Sequence, residues 1–153
     1  MDLILWRHAE ARDAHDGESD LERPLTSKGE RQAKRMAEWL NRRLAESTRI
    51  LVSPALRTQQ TAQALQRDFK TVPAIVCGAA PEAVLKAARW PDANEPVLVV
   101  GHQPTLGQVA ALLMCGQPQV WTLKKGAVWW LRQRDREGGA QVLLQAVQSA
   151  DCL

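Results

Sequence analysis

Three apolar runs in this chain end in groups suited to binding or attacking an anion. "LILW" is followed by Arg7 and His8, "ILV" by Ser53-Pro54 and then Arg57, and "VLVV" by Gly101 and His102. Arginine offers a planar fork that matches phosphoryl oxygens. A neutral imidazole nitrogen can attack phosphorus. Taken singly, an Arg-His pair after a strand is ordinarily a solvated strand end, a lone His there is much the same, and Arg57 alone reads as a surface residue of a helix. Their joint occurrence at three exits is harder to explain that way. If the three runs are neighbouring parallel strands, two arginines and two histidines point at one spot, with helix N-termini nearby that favour anions. That spot suits a dianionic group such as phosphate. No acidic cluster has metal-ligand spacing and no G-x-x-x-x-G-K-[ST] loop is present. The expectation is therefore chemistry without metal or cofactor.

Such convergence requires particular elements. Residues 2–6, 49–53 and 96–101 read as strands buried on both faces, and 73–77 as a weaker one. Thr26 is a candidate cap for a helix carrying Ala33, Met36, Ala37, Leu40 and Leu44 at helical spacing. Ser53-Pro54 reads as a helix start, with a capping hydroxyl and a proline at the first turn. Further helices are expected over 81–90 and over 103–114, the latter despite the poor helix propensity of Gly107. Segments 127–132 and 141–147, separated by a turn at Gly138-Gly139, read as a terminal hairpin. Residues 9–24 are polar and acid-rich, a long surface loop of the kind that often carries function. Alternating strands and helices predict an α/β fold of three layers, α/β/α, with a mostly parallel mixed sheet and helices on both faces. Ligands bind such sheets beyond the carboxyl ends of the strands.

Length and composition set outer bounds. The 153 residues fit one domain, 1–153, with 45% hydrophobic and 24% charged content. The net charge of +3 and pI near 9.0 are mildly basic, with the basic residues dispersed, so nucleic-acid binding is not expected. Cys77, Cys115 and Cys152 lack zinc or redox spacing and suit a reducing compartment. No stretch approaches the ~18 apolar residues of a membrane span. The expected protein is cytoplasmic, monomeric and independent of membranes. The six tryptophans read mostly as core; Trp129 and Trp130 must face opposite sides of a strand.

The segments "LILWRHAEA", "RPLTSKGERQA", "LVSPALRTQQTA" and "VLVVGHQPTLG" resemble, in order and over positions 3 to 107, the four blocks of the histidine phosphatase superfamily, the phosphoglycerate-mutase-like or RHG proteins. The short chain and the final "SADCL" are similar to the SixA-type phosphohistidine phosphatases within it. The resemblance implies a phosphoglycerate-mutase-like fold without a sizeable cap insertion. It implies that His8 is the nucleophile that becomes phosphorylated, that Arg7 and Arg57 bind phosphate, and that His102 binds the phosphoryl group and stabilises developing charge. The implied activity is a metal-independent phosphatase acting on phosphohistidine of a phosphorelay or phosphotransfer protein. A phosphomonoesterase for small metabolites, such as nucleotides or sugar phosphates, and a non-catalytic phosphate-binding module are the alternatives. Ala9 replaces the family's glycine. Larger relatives place a general acid between the second and third blocks; here the acid in "CGAAPEAVLKAARW" is Glu82, which also suits the dipole of its own helix. Glu18, with Glu10 and Asp20, is a rival donor in the loop, and Arg23 is a further candidate for gripping phosphate. His15 reads as a solvated loop residue.

Overall fold

The computed structural model describes residues 1–153. Its strands are β1 (Asp2–Arg7), β2 (Arg49–Val52), β3 (Lys70–Thr71), β4 (Val97–Gly101), β5 (Val128–Arg136) and β6 (Gly139–Gln148). Its helices are α1 (Ser27–Asn41), α2 (Leu56–Gln63), α3 (Pro81–Ala88) and α4 (Thr105–Cys115). The six strands form one sheet in the order β3-β2-β4-β1-β5-β6. β1 to β4 run parallel, and β5 and β6 add an antiparallel hairpin. This is the three-layer α/β/α arrangement that the sequence predicts.

Alternation along the strands divides the core in two. Ile4, Trp6, Ile50, Val52, Leu98 and Val100 pack with Met36, Ala37 and Leu40 of α1 and Ala62 of α2. Leu3, Leu5, Leu51, Val97 and Val99 face the other way, onto Val84 and Ala88 of α3 and Leu106, Val109 and Ala110 of α4. Strands buried on both faces read as unbroken apolar runs for this reason. Trp130 joins the first cluster and Trp129 packs against the second, where its ring lies 6.1 Å from that of Trp121.

The Thr26 hydroxyl caps α1 by accepting from Gly29 N–H at 3.0 Å. A Cβ on Gly29 would collide with the Glu10 carbonyl, so the loop after β1 is seated directly on the first turn of α1. Leu44 is buried as expected but lies beyond the end of α1.

Two local expectations are corrected. Residues 73–77 form no strand: Lys70–Thr71 pair with β2 instead, and Pro73 opens a single 3-10 turn through Ile75. Proline cannot donate to a ladder, which ends pairing there. Ser53 does not cap α2, which begins at Leu56 with no side-chain cap; its hydroxyl is used elsewhere. No helix is long and apolar enough to cross a membrane.

Candidate functional site

β4 lies between β1 and β2, so their carboxyl ends sit side by side. Arg7 pairs with Gly101, and Val52 with Val100. The next residues, His8, His102 and Ser53, therefore emerge together from one edge of the sheet. The backbone of His8 is clamped on both sides: its N–H donates to Gly101 O at 3.1 Å, and its carbonyl accepts from Gly126 N–H at 3.0 Å. Ala9 N–H donates to Thr61 Oγ1 at 3.1 Å, tying the turn after β1 to α2.

His8 is 8% exposed and its Nδ1 lies 2.7 Å from the carbonyl oxygen of Ala9. A carbonyl only accepts, so Nδ1 carries the proton and Nε2 holds a lone pair. Burial pushes the His8 pKa down to about 3; the Ala9 carbonyl opposes this, and His102, Arg57 and Arg7 add to it. His102 is pushed down to about 4, first by burial and then by Arg57. The two rings lie 5.5 Å apart, centroid to centroid. His102 Nε2 lies 2.7 Å from Ser53 Oγ, and Nδ1 lies 3.4 Å from Arg57 Nη2. A guanidinium only donates, so Nε2–H of His102 donates to Ser53.

Arg57, in the first turn of α2, is 1% exposed. Its Nη1 donates to the Asp20 carbonyl at 2.8 Å and its Nη2 to Asp20 Oδ2 at 3.0 Å. Arg7 Nη1 donates to Leu123 O at 2.8 Å. The Nε atoms of Arg7 and Arg57 are buried without a partner. Arg23 donates from Nε to Asp20 Oδ1 at 2.9 Å and from Nη1 to Arg12 O at 3.1 Å.

Arg7, His8, Arg23, Arg57 and His102 line one cavity of about 260 Å³, together with Ala11, Asp13, Cys77, Gln103 and Lys125. Its lining holds three arginines and a lysine against one acid, so it attracts anions. A larger polar hollow of about 550 Å³ lies at the amino end of β2, lined by Glu46, Thr48, Ile50, Gln66, Arg67 and Asp68. It brings together none of the candidate residues.

The structure thus brings the four main candidates together at one cavity, with Arg23 beside them. Among the candidate proton donors, Glu82, Glu18 and Glu10 are not brought there. Glu82 is exposed in the first turn of α3, whose Val84 and Ala88 pack under the sheet, and it is absent from the cavity lining. Both oxygens of Glu18 accept from Arg12, at 2.9 and 2.7 Å. Glu10 Oε2 accepts from the Thr26 hydroxyl at 2.7 Å. Asp20 reaches the site, but as the partner of Arg57 and Arg23. Burial raises its pKa, and the two arginines outweigh this and hold it below the usual carboxylate range. Sequence reasoning missed Ser53 as a partner of His102, the Leu123 carbonyl, and Lys125, Asp13 and Cys77 on the lining. The position of Ser53 at the exit of β2, matching Arg7 and His102 on their strands, was a usable signal.

A three-layer fold with paired histidines, the buried Arg57 and the half-buried Arg7 at the strand ends fits a class of phosphate-handling enzymes. The family model of the histidine phosphatase superfamily (branch 1) matches residues 3–79. The chain belongs to the histidine phosphatase superfamily and is a phosphatase. It is 34% identical over 133 residues to the phosphohistidine phosphatase SixA of Escherichia coli K12, covering 80% of each chain. It is 39% identical over 140 residues to an uncharacterized protein of Picosynechococcus sp. PCC 7002, covering 86% of this chain and 85% of that one. The structure of the protein histidine phosphatase SixA complexed with tungstate matches with a TM-score of 0.74 and 28% identity, covering 99% of both chains.

Proposed function

We propose that this phosphatase removes the phosphoryl group from phosphohistidine on a phosphotransfer protein, through a covalent intermediate on His8. The observation that carries the reading is the bond from His8 Nδ1–H to Ala9 O, which leaves Nε2 as a free lone pair at a cation-lined cavity. The similarity to E. coli SixA supports the substrate class.

His8 Nε2 attacks phosphorus in line. A new N–P bond forms as the substrate's N–P bond breaks, and the departing imidazole nitrogen keeps that electron pair and takes up a proton from solvent water. Water then attacks phosphorus, the His8 N–P bond breaks, and its electron pair returns to Nε2. Phosphate leaves. Arg7 and Arg57 stabilise the equatorial oxygens in both steps; His102, whose Nε2–H is given to Ser53, contributes through Nδ1, which becomes a donor to a phosphoryl oxygen once it takes up a proton from solvent. An imidazole leaving group needs less protonation than an alkoxide, which fits a site where Glu10, Glu18 and Asp20 are each engaged by another side chain. A protein-borne phosphoryl group also fits a fold in which α3 packs on the sheet rather than over the cavity.

The test is phosphate release from a histidine-phosphorylated phosphotransfer domain, comparing wild type with His8→Ala, and with an alkyl phosphomonoester as second substrate. Release dependent on His8, with the ester barely touched, supports the reading. Fast ester hydrolysis with slow phosphohistidine release shifts it to small metabolites. No His8-dependent release from either favours a phosphate-binding module.

A further inference from the structure

Asp20 has no part in the steps above, yet it holds two of the arginines at the site. Both terminal nitrogens of Arg57 contact it, through the backbone carbonyl at 2.8 Å and Oδ2 at 3.0 Å, and Arg23 Nε donates to Oδ1 at 2.9 Å. The two partners differ sharply in setting. The Arg57 side chain is 2% exposed, fixed in α2 under the sheet's edge, whereas the Asp20 side chain is 58% exposed. Asp20 belongs to a 3-10 turn, Asp20–Glu22, that has no buried residue. A buried cation is thus neutralised by a carboxylate on a water-facing turn.

The contact also engages the end of Arg57 that lies beside His102. Arg57 Nη2, which touches Oδ2, is the same atom that lies 3.4 Å from His102 Nδ1. A phosphoryl group gripped by Arg57 beside His102 must take the place of Oδ2, because a dianion and a carboxylate on one guanidinium repel. We infer that Asp20 is a resident counter-ion that the phosphoryl group displaces from Arg57 and Arg23, and that it keeps the affinity of the site for free phosphate low. This rests on the phosphatase site proposed above. A phosphoprotein, held by contacts outside its phosphoryl group, outcompetes the carboxylate; the inorganic phosphate left behind does not, and it departs.

The test measures competitive inhibition by tungstate and inorganic phosphate in wild type, Asp20→Asn and Asp20→Ala, with hydrogen exchange of the wild-type backbone over 19–23 with and without saturating tungstate. Asparagine keeps the shape and an acceptor but removes the charge. The expected result is binding of both anions about ten-fold tighter in Asp20→Asn, tighter also in Asp20→Ala, and faster exchange at 19–23 when tungstate is bound. Unchanged or weaker anion binding by Asp20→Asn, or slower exchange at the turn, overturns the inference and makes Asp20 a fixed organiser of the arginines. If neither wild type nor the two folded Asp20 variants bind either anion competitively, the phosphate site itself is wrong, a different outcome from failure of the Asp20 role alone.

Discussion

Ser53 Oγ sits 2.7 Å from His102 Nε2, joining the exits of β2 and β4 by a hydrogen bond between two buried side chains. The bond fixes the tautomer of His102 and with it the atom that faces Arg57. Ser53→Ala leaves a buried N–H without a partner, a change that costs about 1–3 kcal/mol. The expected outcome is a lower melting temperature and kcat/KM reduced roughly ten-fold, with most of the loss in kcat if His102 acts on the developing charge. A variant with wild-type kinetics would remove Ser53 from the functional site and leave it a packing residue.

Both site histidines are held neutral in the folded chain, His8 near a pKa of about 3 and His102 near about 4, while an unfolded histidine titrates near ~6.5. The unfolded chain therefore binds more protons than the folded one below that value. The stability from neutral burial is complete above pH ~6.5 and is lost as pH falls toward the folded values, at up to about 1.4 kcal/mol per pH unit for each histidine. Denaturant melts at pH 7 and pH 5 should show lower stability at pH 5. Ring signals of His8 and His102 in an NMR titration should stay in place from pH 8 to pH 5; movement with a midpoint near 6.5 would show that the rings are more solvated than the structure has them.

Gly107 faces the carbonyl oxygen of Trp121, and a Cβ there would collide with it. Sequence alone marks this glycine as a weak point of α4; the structure makes it the place where α4 and the 121–127 segment meet. Gln103 fastens the same contact, donating to Trp121 O at 2.8 Å and accepting from Gly107 N–H at 2.9 Å. The segment then supplies Leu123 O to Arg7 and Gly126 O to Trp6 Nε1. Gly107→Ala should cost about 1–3 kcal/mol as an overpacked contact. Because the push is transmitted toward Leu123, KM should rise as well, which steady-state kinetics on the folded fraction will show.

These cases mark what a sequence can carry. β1, β2 and β4 were legible because burial on both faces leaves unbroken apolar runs, and α1 because Thr26 and its apolar spacing are local signals. Arg7, His8, Arg57 and His102 were legible because each follows such a run. Ser53 was misread because a Ser-Pro pair is also a local signal for a helix start, whereas its partner is 49 residues away. Segment 73–77 was misread because apolar composition outweighed its leading proline. The grip of Leu123 on Arg7 could not be read, since a backbone carbonyl has no residue identity, and the donors Glu10 and Glu18 looked free because ion pairs and caps across a loop depend on its folded path.

Arg57 serves three acceptors from two nitrogens: Asp20 O, Asp20 Oδ2 and His102 Nδ1. A lysine at 57 keeps the charge but offers a single ammonium, without the planar fork that matches two phosphoryl oxygens. Arg57→Lys should therefore lower kcat/KM by at least about a hundred-fold, the scale of losing one preorganised donor to transition-state charge. Arg57→Ala should go further and also destabilise the fold, because it empties a site that is 1% exposed and strips Asp20 of its buried partner. Kinetics on the two folded variants separate the contributions: charge alone is what lysine retains, and the difference between lysine and arginine is the fork. Near-normal kcat/KM in Arg57→Lys would mean that phosphate recognition rests on Arg7 and His102, with Arg57 only a buried cation that anchors the loop.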